Sequence, residues 1–222
     1  MNAGQRVIVP ELLDHAEPSE AQVSLRDLVW INRYLGGYHI VRKVFGDLVR
    51  RNQAFTVLDV GAASGDMGAA LRRAFPRAMV TSLDARDLHL HRAAYPKLVG
   101  DAFRLPFAPR SFDYTFSSLF LHHFEDDAVV RLLEQFGAVS RRAVVAIDLD
   151  RGPLGYHFVP ATRWLLGWHT ITVHDAPASV QAAFKPAELL DLARRAGLRQ
   201  ARVRVHRPWS RLSLVAIADS EP

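Results

Sequence analysis

From position 57 to 68 the chain reads Val57-Leu58-Asp59-Val60-Gly61-Ala62-Ala63-Ser64-Gly65-Asp66-Met67-Gly68, a β-prone run that breaks into small residues and restarts as a helix. Residues of these types suit a ligand that the backbone must approach closely. Glycine removes the side chain and admits positive φ, and the first turn of the following helix offers free N–H groups. In an open α/β fold such a turn stands at the carboxyl edge of the sheet, where nucleotide-like ligands bind. A dinucleotide pyrophosphate needs glycine at the second position of a G-x-G-x-x-G frame; here Gly61, Gly65 and Gly68 are present but Ala63 stands at that position. The pyrophosphate charge would also meet Asp66. A nucleoside with a cationic amino-acid tail meets neither obstacle, because Asp59 before the turn and Asp66 after it both suit an ammonium group.

The turn needs a frame, and hydrophobic periodicity supplies one. Residues 55–60 form the strand ahead of it, and 66–75 form a helix with Met67, Ala70, Leu71 and Ala74 on one face, stopped by Pro76. Residues 78–83 read as a second strand, followed by a helix to about Ala94. Residues 98–99, 112–117 and 143–147 complete five strand candidates, with a helix over 127–136 closed by Gly137. This alternation implies a parallel, doubly wound sheet. A helix over 186–196 starts with proline and stops at Gly197. Ala201, Val203 and Val205 then alternate with Arg202, Arg204 and His206, and the Pro208-Trp209-Ser210 turn leads into 212–218, making a closing hairpin. Upstream, about fifteen irregular residues precede a helix that Ser19 and Gln22 open as a capping box and Gly36-Gly37 ends. Val41, Val44, Phe45 and Leu48 mark a second helix. The chain therefore divides into an N-terminal helical cap over 1–54 and a Rossmann-like core over 55–222, in which 151–185 is a substrate-side insertion without clear periodicity.

The turn resembles motif I of class I S-adenosylmethionine-dependent methyltransferases, D-x-G-x-G-x-G, with Ala63 at its middle glycine. Further matches follow in order. Leu83-Asp84 ends the second strand; Gly100-Asp101-Ala102-Phe103-Arg104-Leu105-Pro106-Phe107 resembles the G-D-A-x-x-L-P-F segment; and Ser111-Phe112-Asp113 with Ser117-Ser118-Leu119-Phe120-Leu121-His122-His123-Phe124 resembles the ubiquinone/menaquinone-type branch. The resemblance spans about 55–150 and extends to the closing hairpin, since methyltransferases of this kind insert an antiparallel last strand beside the fifth. It implies a Rossmann-like, doubly wound, mostly parallel seven-stranded sheet, S-adenosylmethionine as cofactor and S-adenosylhomocysteine as product. The implied cofactor-binding residues are Asp59, Gly61, Ala62, Ala63 and Gly65 at the turn, Asp84 and Ala85 at the ribose, Asp101 and Ala102 at the adenine, and Ser118 and Leu119 after the fourth strand. A carboxylate suits the ribose because it accepts two hydrogen bonds from a vicinal diol. The post-strand loop of this fold faces the methyl group, which makes His122 and His123 the candidate catalytic bases, with His157, His169 and His174 as a second set.

Composition bounds the partners. Across 222 residues the formal net charge is +5, and Lys43, Lys97 and Lys185 are the only lysines. The arginines lie in scattered pairs near helix ends, a pattern of solvated surface rather than a nucleic-acid stripe. Ser118-Leu119-Phe120-Leu121 also replaces the Asn-Pro-Pro-aromatic motif of nucleic-acid amino-methyltransferases, so nucleic acid is not the expected partner. With no cysteine and no partner for the histidine pair at ligand spacing, no metal is expected. No apolar stretch approaches the roughly 20 residues of a membrane span, and the start lacks a signal-peptide pattern; a cytoplasmic protein is expected, of open oligomeric state. The acceptor expected is a small phenolic, quinone-like or polyketide molecule, methylated on a hydroxyl or ring carbon. That expectation rests partly on the polar and aromatic residues flanking the core: Trp30, Asn32, Arg33, Tyr34 and His39 on one side, Arg151, Tyr156, His157, Phe158, Trp164 and Trp168 on the other. The same aromatics could instead form only core and interface. A non-catalytic cofactor-binding module stays open as an alternative, as does a nicotinamide oxidoreductase, which Ala63 and the closing hairpin disfavour.

Overall fold

Strand β1 (Phe55–Val60) is buried at every position but Thr56, as a strand covered on both faces must be. Its side chains divide by parity: Phe55 and Val57 enter one apolar cluster, Leu58 and Val60 the other. In this computed structural model, which describes residues 5–94 and 96–218, β1 pairs in parallel with β2 (Ala78–Asp84) and with β4 (Phe112–Ser118). The short β3 (Lys97–Val99) extends the sheet beyond β2, and β5 (Ser140–Leu149) extends it beyond β4. The closing hairpin, β6 (Gln200–His206) and β7 (Arg211–Ile217), joins with β7 antiparallel to β5. The order is β3-β2-β1-β4-β5-β7-β6. This is the expected Rossmann-like sheet with one antiparallel strand, and its order reverses between β1 and β4, where a crevice opens at the carboxyl ends.

One face is covered by α4 (Asp126–Val139) and α7 (Pro186–Arg195), whose Leu133, Phe136 and Leu189 pack with Leu58, Val144 and Leu214. The other is covered by α2 (Gly37–Gly46) and α3 (Asp66–Ala74), whose Ile40, Phe45 and Leu71 pack with Val57, Phe116 and Val145. Helix α2 is thus a layer of the core, and of the two N-terminal helices it is α1 (Pro18–Tyr34) that lines the crevice. Gly36 joins them at φ +85, and a side chain there would start 2.4 Å from the Trp209 ring.

Several local expectations change. Helix α1 starts with Pro18 in its first turn and takes no side-chain cap, so Ser19 does not form a capping box. The segment after β2 contains a single 3₁₀ turn (His89–Arg92) in place of a helix to Ala94; of its four residues only Leu90 is buried, which leaves a longer helix no apolar face to pack. Helix α4 runs through Gly137 to Val139, with Leu198 lying against that glycine. Residues 1–4 of the irregular N-terminal stretch lie outside the described residues; the rest holds only the turn Leu12–His15.

The 151–185 segment is two helices, α5 (Pro153–Leu166) and α6 (Thr170–Ala182), with Pro160 and Pro177 inside them. Their periodicity is hidden because the inner face of α6 is partly polar. Buried Thr172 bonds Ser24 at 3.2 Å and Asp27 at 2.8 Å, and buried Asp175 accepts the N–H groups of Leu12 and Leu13 at 3.0 Å each. These bonds tie the N-terminal segment and α1 onto α6.

The Phe45 ring lies 6.0 Å from Phe55, 5.6 Å from Tyr114 and 5.8 Å from Phe116. Phe45→Ala is expected to cost about 3–5 kcal/mol in urea unfolding and to shift one cooperative transition. A second, independent transition would show instead that the segment before β1 folds as a unit of its own.

Candidate active site

A cavity of about 730 Å³ opens at the switch point, a size suited to a nucleoside-containing ligand. Its floor is the β1–α3 turn. Gly61 there has φ +67, and a side chain would start 2.2 Å from the Phe120 ring, so only glycine allows that ring to cross. Ala63 takes the left-handed region at φ +46, a conformation that costs an L-residue about 1–2 kcal/mol and explains why related turns carry glycine there. In this conformation its N–H donates to Asp84 Oδ2 at 3.0 Å. Leu119, after β4, is also left-handed at φ +52; strain of this kind collects where a loop is held for function.

Asp84 is 8% exposed at the end of β2. Besides Ala63, it accepts the Arg86 N–H at 3.1 Å and meets His89 Nδ1 at 3.1 Å. Burial alone would raise its pKa, but His89 and the two N–H groups outweigh burial and hold it below the usual carboxylate range. An ionised carboxylate offers about four acceptor sites, so Asp84 is charged, oriented and still able to accept. Asp101 orients itself by accepting the Phe103 N–H at 2.8 Å. Beside it Phe103, Phe124 and Phe120 form an edge-to-face series, with ring centroids 5.4 and 5.0 Å apart. Four buried polar atoms of residues lining this cavity, Asp59 Oδ2, His89 Nε2, Ser118 Oγ and Arg211 Nη1, have no hydrogen-bond partner. Burial, followed by the charges of Asp66 and Asp84, lifts Asp59 to about 8. An orphaned acceptor beside a second carboxylate fits a cationic ligand tail, so these residues fit an adenosine with such a tail. Of the proposed cofactor-side residues, Asp59, Gly61, Ala62, Ala63, Asp84, Ala85, Asp101, Ala102, Ser118 and Leu119 line the cavity; Gly65 stands behind it as the N-cap of α3.

Across the cavity His122 is 3% exposed, with Nδ1 2.6 Å from Asp148 Oδ1. Asp148 ends the buried run of β5 and also accepts the N–H groups of Leu121 at 2.9 Å and Leu149 at 2.8 Å. Glu11 Oε1 lies 3.7 Å from His122 Nε2 and 3.9 Å from His123 Nδ1, and the two imidazoles stack at 4.3 Å. Burial alone would lower the pKa of His122; the Asp148 and Glu11 carboxylates outweigh it and lift the imidazole to about 9. Glu11 is held down to about 2, its burial outweighed by both histidines and the Ser179 hydroxyl. The ligand-capable atoms of Glu11, His122 and His123 lie within 4.8 Å of one another, a grouping that sequence spacing does not disclose; a protonated imidazole satisfies both carboxylates without an ion.

Of the residues expected on the substrate side, Asn32 and Phe158 line the cavity and the others lie elsewhere. Helix α1 turns Leu28, Ile31, Asn32 and Leu35 to the cavity, and helical geometry then points Arg33 and Tyr34 outward. Both are exposed, with Arg33 over the Tyr34 ring at 5.3 Å. His39 is exposed on α2, and His157 lies on the exposed face of α5, whose Leu154 and Phe158 line the cavity. Arg151 is buried but spent on Glu188 at 2.6 Å and the Ala183 carbonyl at 2.8 Å. Trp30 packs on Trp168 at 5.0 Å, an interface contact, and Trp164 is 86% exposed. Sequence reasoning missed Glu11 and Arg211, which line the cavity, and Asp148, which holds His122 from behind.

Residues 57–143 match a family model described as a methyltransferase domain. No curated protein matches the chain. Among solved structures, a SAM-dependent methyltransferase from Aquifex aeolicus aligns at TM-score 0.61 and 16% identity, covering 92% of this chain and 100% of that one. Magnesium protoporphyrin IX methyltransferase from Synechocystis, with bound SAH, aligns at TM-score 0.56 and 16% identity over 83% of this chain and 84% of that one. A candidate O-methyltransferase of Nostoc punctiforme aligns at TM-score 0.60 and 16% identity over 82% of this chain. The chain spans 56% of the length of that Nostoc protein, and 62% of a candidate methyltransferase from an Anabaena variabilis antibiotic biosynthesis pathway.

The imidazole of His122 is expected to titrate near pH 9 by NMR, and Glu11→Gln to move it down toward the ordinary 6.5. Since its folded value lies above the unfolded one, its contribution to stability is complete below about pH 6.5 and is lost as pH rises through about 9. A titration near 6.5 in the unaltered protein would contradict the two-carboxylate environment.

Proposed function

We propose, for a chain that carries a class I, S-adenosylmethionine-dependent methyltransferase domain, that it methylates a hydroxyl or ring carbon of a small phenolic, quinone-like or polyketide acceptor. The observation that carries this reading is one cavity with the motif I turn and Asp84 on one wall and the His122–Asp148 pair on the other. The cofactor supplies an activated methyl group. The protein's task is then alignment, which can provide much of the acceleration, together with removal of the acceptor's proton.

Asp84 would accept the ribose hydroxyls and Asp101 the adenine amino group, while Gly61, Ala62 and Ala63 bring backbone close to the ligand. Asp59 and Asp66 would face its ammonium group. His122 would take the acceptor proton on Nε2, since Nδ1 is engaged by Asp148, which fixes ring orientation and tautomer as a buried carboxylate does for a catalytic histidine. His123, stacked on it and part-exposed, is the second candidate. The apolar wall of Leu28, Leu154, Phe158 and Val159 favours a planar or aliphatic acceptor over a nucleic acid. No described helix is long and apolar enough to cross a membrane; a cytoplasmic site of action is part of this proposal. A non-catalytic cofactor-binding module is the second reading, and turnover with any acceptor would exclude it.

Calorimetry with S-adenosylhomocysteine, using NADH as comparison, is the first test. Binding of the former that Asp84→Ala weakens at least roughly tenfold, a loss of about 1.4 kcal/mol, is expected; preference for NADH would overturn the cofactor reading. With an acceptor found by panel screening, His122→Gln should lower kcat by about 10²–10⁴-fold with S-adenosylhomocysteine affinity kept within roughly threefold. Turnover should rise with pH toward about 9, as the imidazole loses its proton. Unchanged kcat in the variant would remove His122 from the chemistry.

A further inference from the structure

Arg151 and Arg211 are both buried, and they are satisfied differently. Arg151 is paired with Glu188 away from the cavity. Arg211, at the start of β7 and opposite Leu149 in the β5–β7 pairing, is 2% exposed and lines the cavity. Its Nη2 donates to Asn32 Oδ1 at 3.3 Å, and its Nη1 has no hydrogen-bond partner. The side chain keeps its charge: burial lowers its pKa, opposed by Asp148 and Asp66, only to about 10. Those two aspartates are its electrostatic neighbours, but each is committed elsewhere, Asp148 to His122 at 2.6 Å and Asp66 to Asn32 at 3.1 Å and Ser64 at 3.1 Å.

A buried guanidinium with an unused donor is costly to leave unpaired. Its planar fork matches oxyanions such as a carboxylate, and the cofactor of the reading above carries a carboxylate and no phosphate. We infer that Arg211 is the carboxylate-binding residue of this cavity, offering Nη1 to the α-carboxylate of the cofactor's amino-acid tail or to a carboxylate on the acceptor. The inference rests on the cofactor reading above. The tail is the favoured source, because the same cavity holds the opposite orphan, Asp59 Oδ2. An acidic orphan and a basic orphan together complement a zwitterion. Asn32 links the two sides, donating to Asp66 through Nδ2 and accepting from Arg211 through Oδ1.

The test uses S-adenosylhomocysteine and its decarboxylated analogue, S-adenosyl-3-thiopropylamine, titrated into the unaltered protein, Arg211→Met and Arg211→Lys. If the tail is the ligand, the unaltered protein prefers the carboxylate form at least tenfold. Arg211→Met then loses that preference while holding the analogue within threefold, and Arg211→Lys keeps part of it. If the acceptor is the source, the unaltered protein binds both forms alike, and salicylate binds the S-adenosylhomocysteine complex of the unaltered protein but not that of Arg211→Met. A failure of Arg211→Met to fold leaves the comparison of the two ligands on the unaltered protein and Arg211→Lys to decide. Binding of both forms alike with no salicylate binding, or a preference that survives Arg211→Met, overturns the inference and leaves the cofactor reading standing. Failure of the unaltered protein to bind either form overturns the cofactor reading and this inference with it.

Discussion

The site depends on one buried carboxylate. Asp148 is 1% exposed, and a charge so placed is tolerable only when its hydrogen-bonding capacity is filled. It is filled by backbone N–H groups of Leu121 and Leu149 and by the His122 ring. Those bonds tie the end of β5 to the loop after β4. The loop, once pinned, holds Leu119 in its left-handed bend and lays Phe120 across Gly61, so the position of the motif I turn is set partly from two strands away.

Charge is divided across the cavity. On the β1–β2 side Asp59, Asp66 and Asp84 crowd together, and burial, reinforced by the charges of Asp66 and Asp84, lifts Asp59 to about 8. On the β5–β7 side the buried cations stand, His122 between two carboxylates and Arg211 with an unused donor. A ligand that spans this cavity meets an acidic wall and a basic one, and its own charges must be arranged to match. Shape alone would admit many nucleosides; this polarity selects among them.

The residues legible in sequence were those whose neighbours in space are also neighbours in chain. The turn from Asp59 to Asp66 announces itself because strand, bend and helix start are contiguous, and Asp84 and Asp101 follow from their places at strand ends. Glu11 and Arg211 could not be found this way, since each reaches the cavity only after the chain has folded over it, and neither sits in a distinctive run. Arg33 and Tyr34 suggest themselves by residue type, as Asn32 does, but helical phase turns only Asn32 to the cavity, beside the plainer Leu28 and Ile31. Helices α5 and α6 escaped notice because an inner face holding Thr172 and Asp175 erases the apolar stripe by which helices are recognised. The same polar face is what fastens the N-terminal segment down.

The insertion of β7 between β5 and β6 imposes an order of events on assembly. Strand β6 touches the sheet only through β7, so when β6 leaves the ribosome it has no edge to join and must wait for the strand that follows it. Arg211 arrives on that late strand, and Glu11 has been waiting since the beginning. A nascent chain stalled before β7 would therefore hold the β1–α3 turn beside an unfinished far wall. Pairings across such separations fold slowly, and they leave the β5 edge unpaired until β7 arrives.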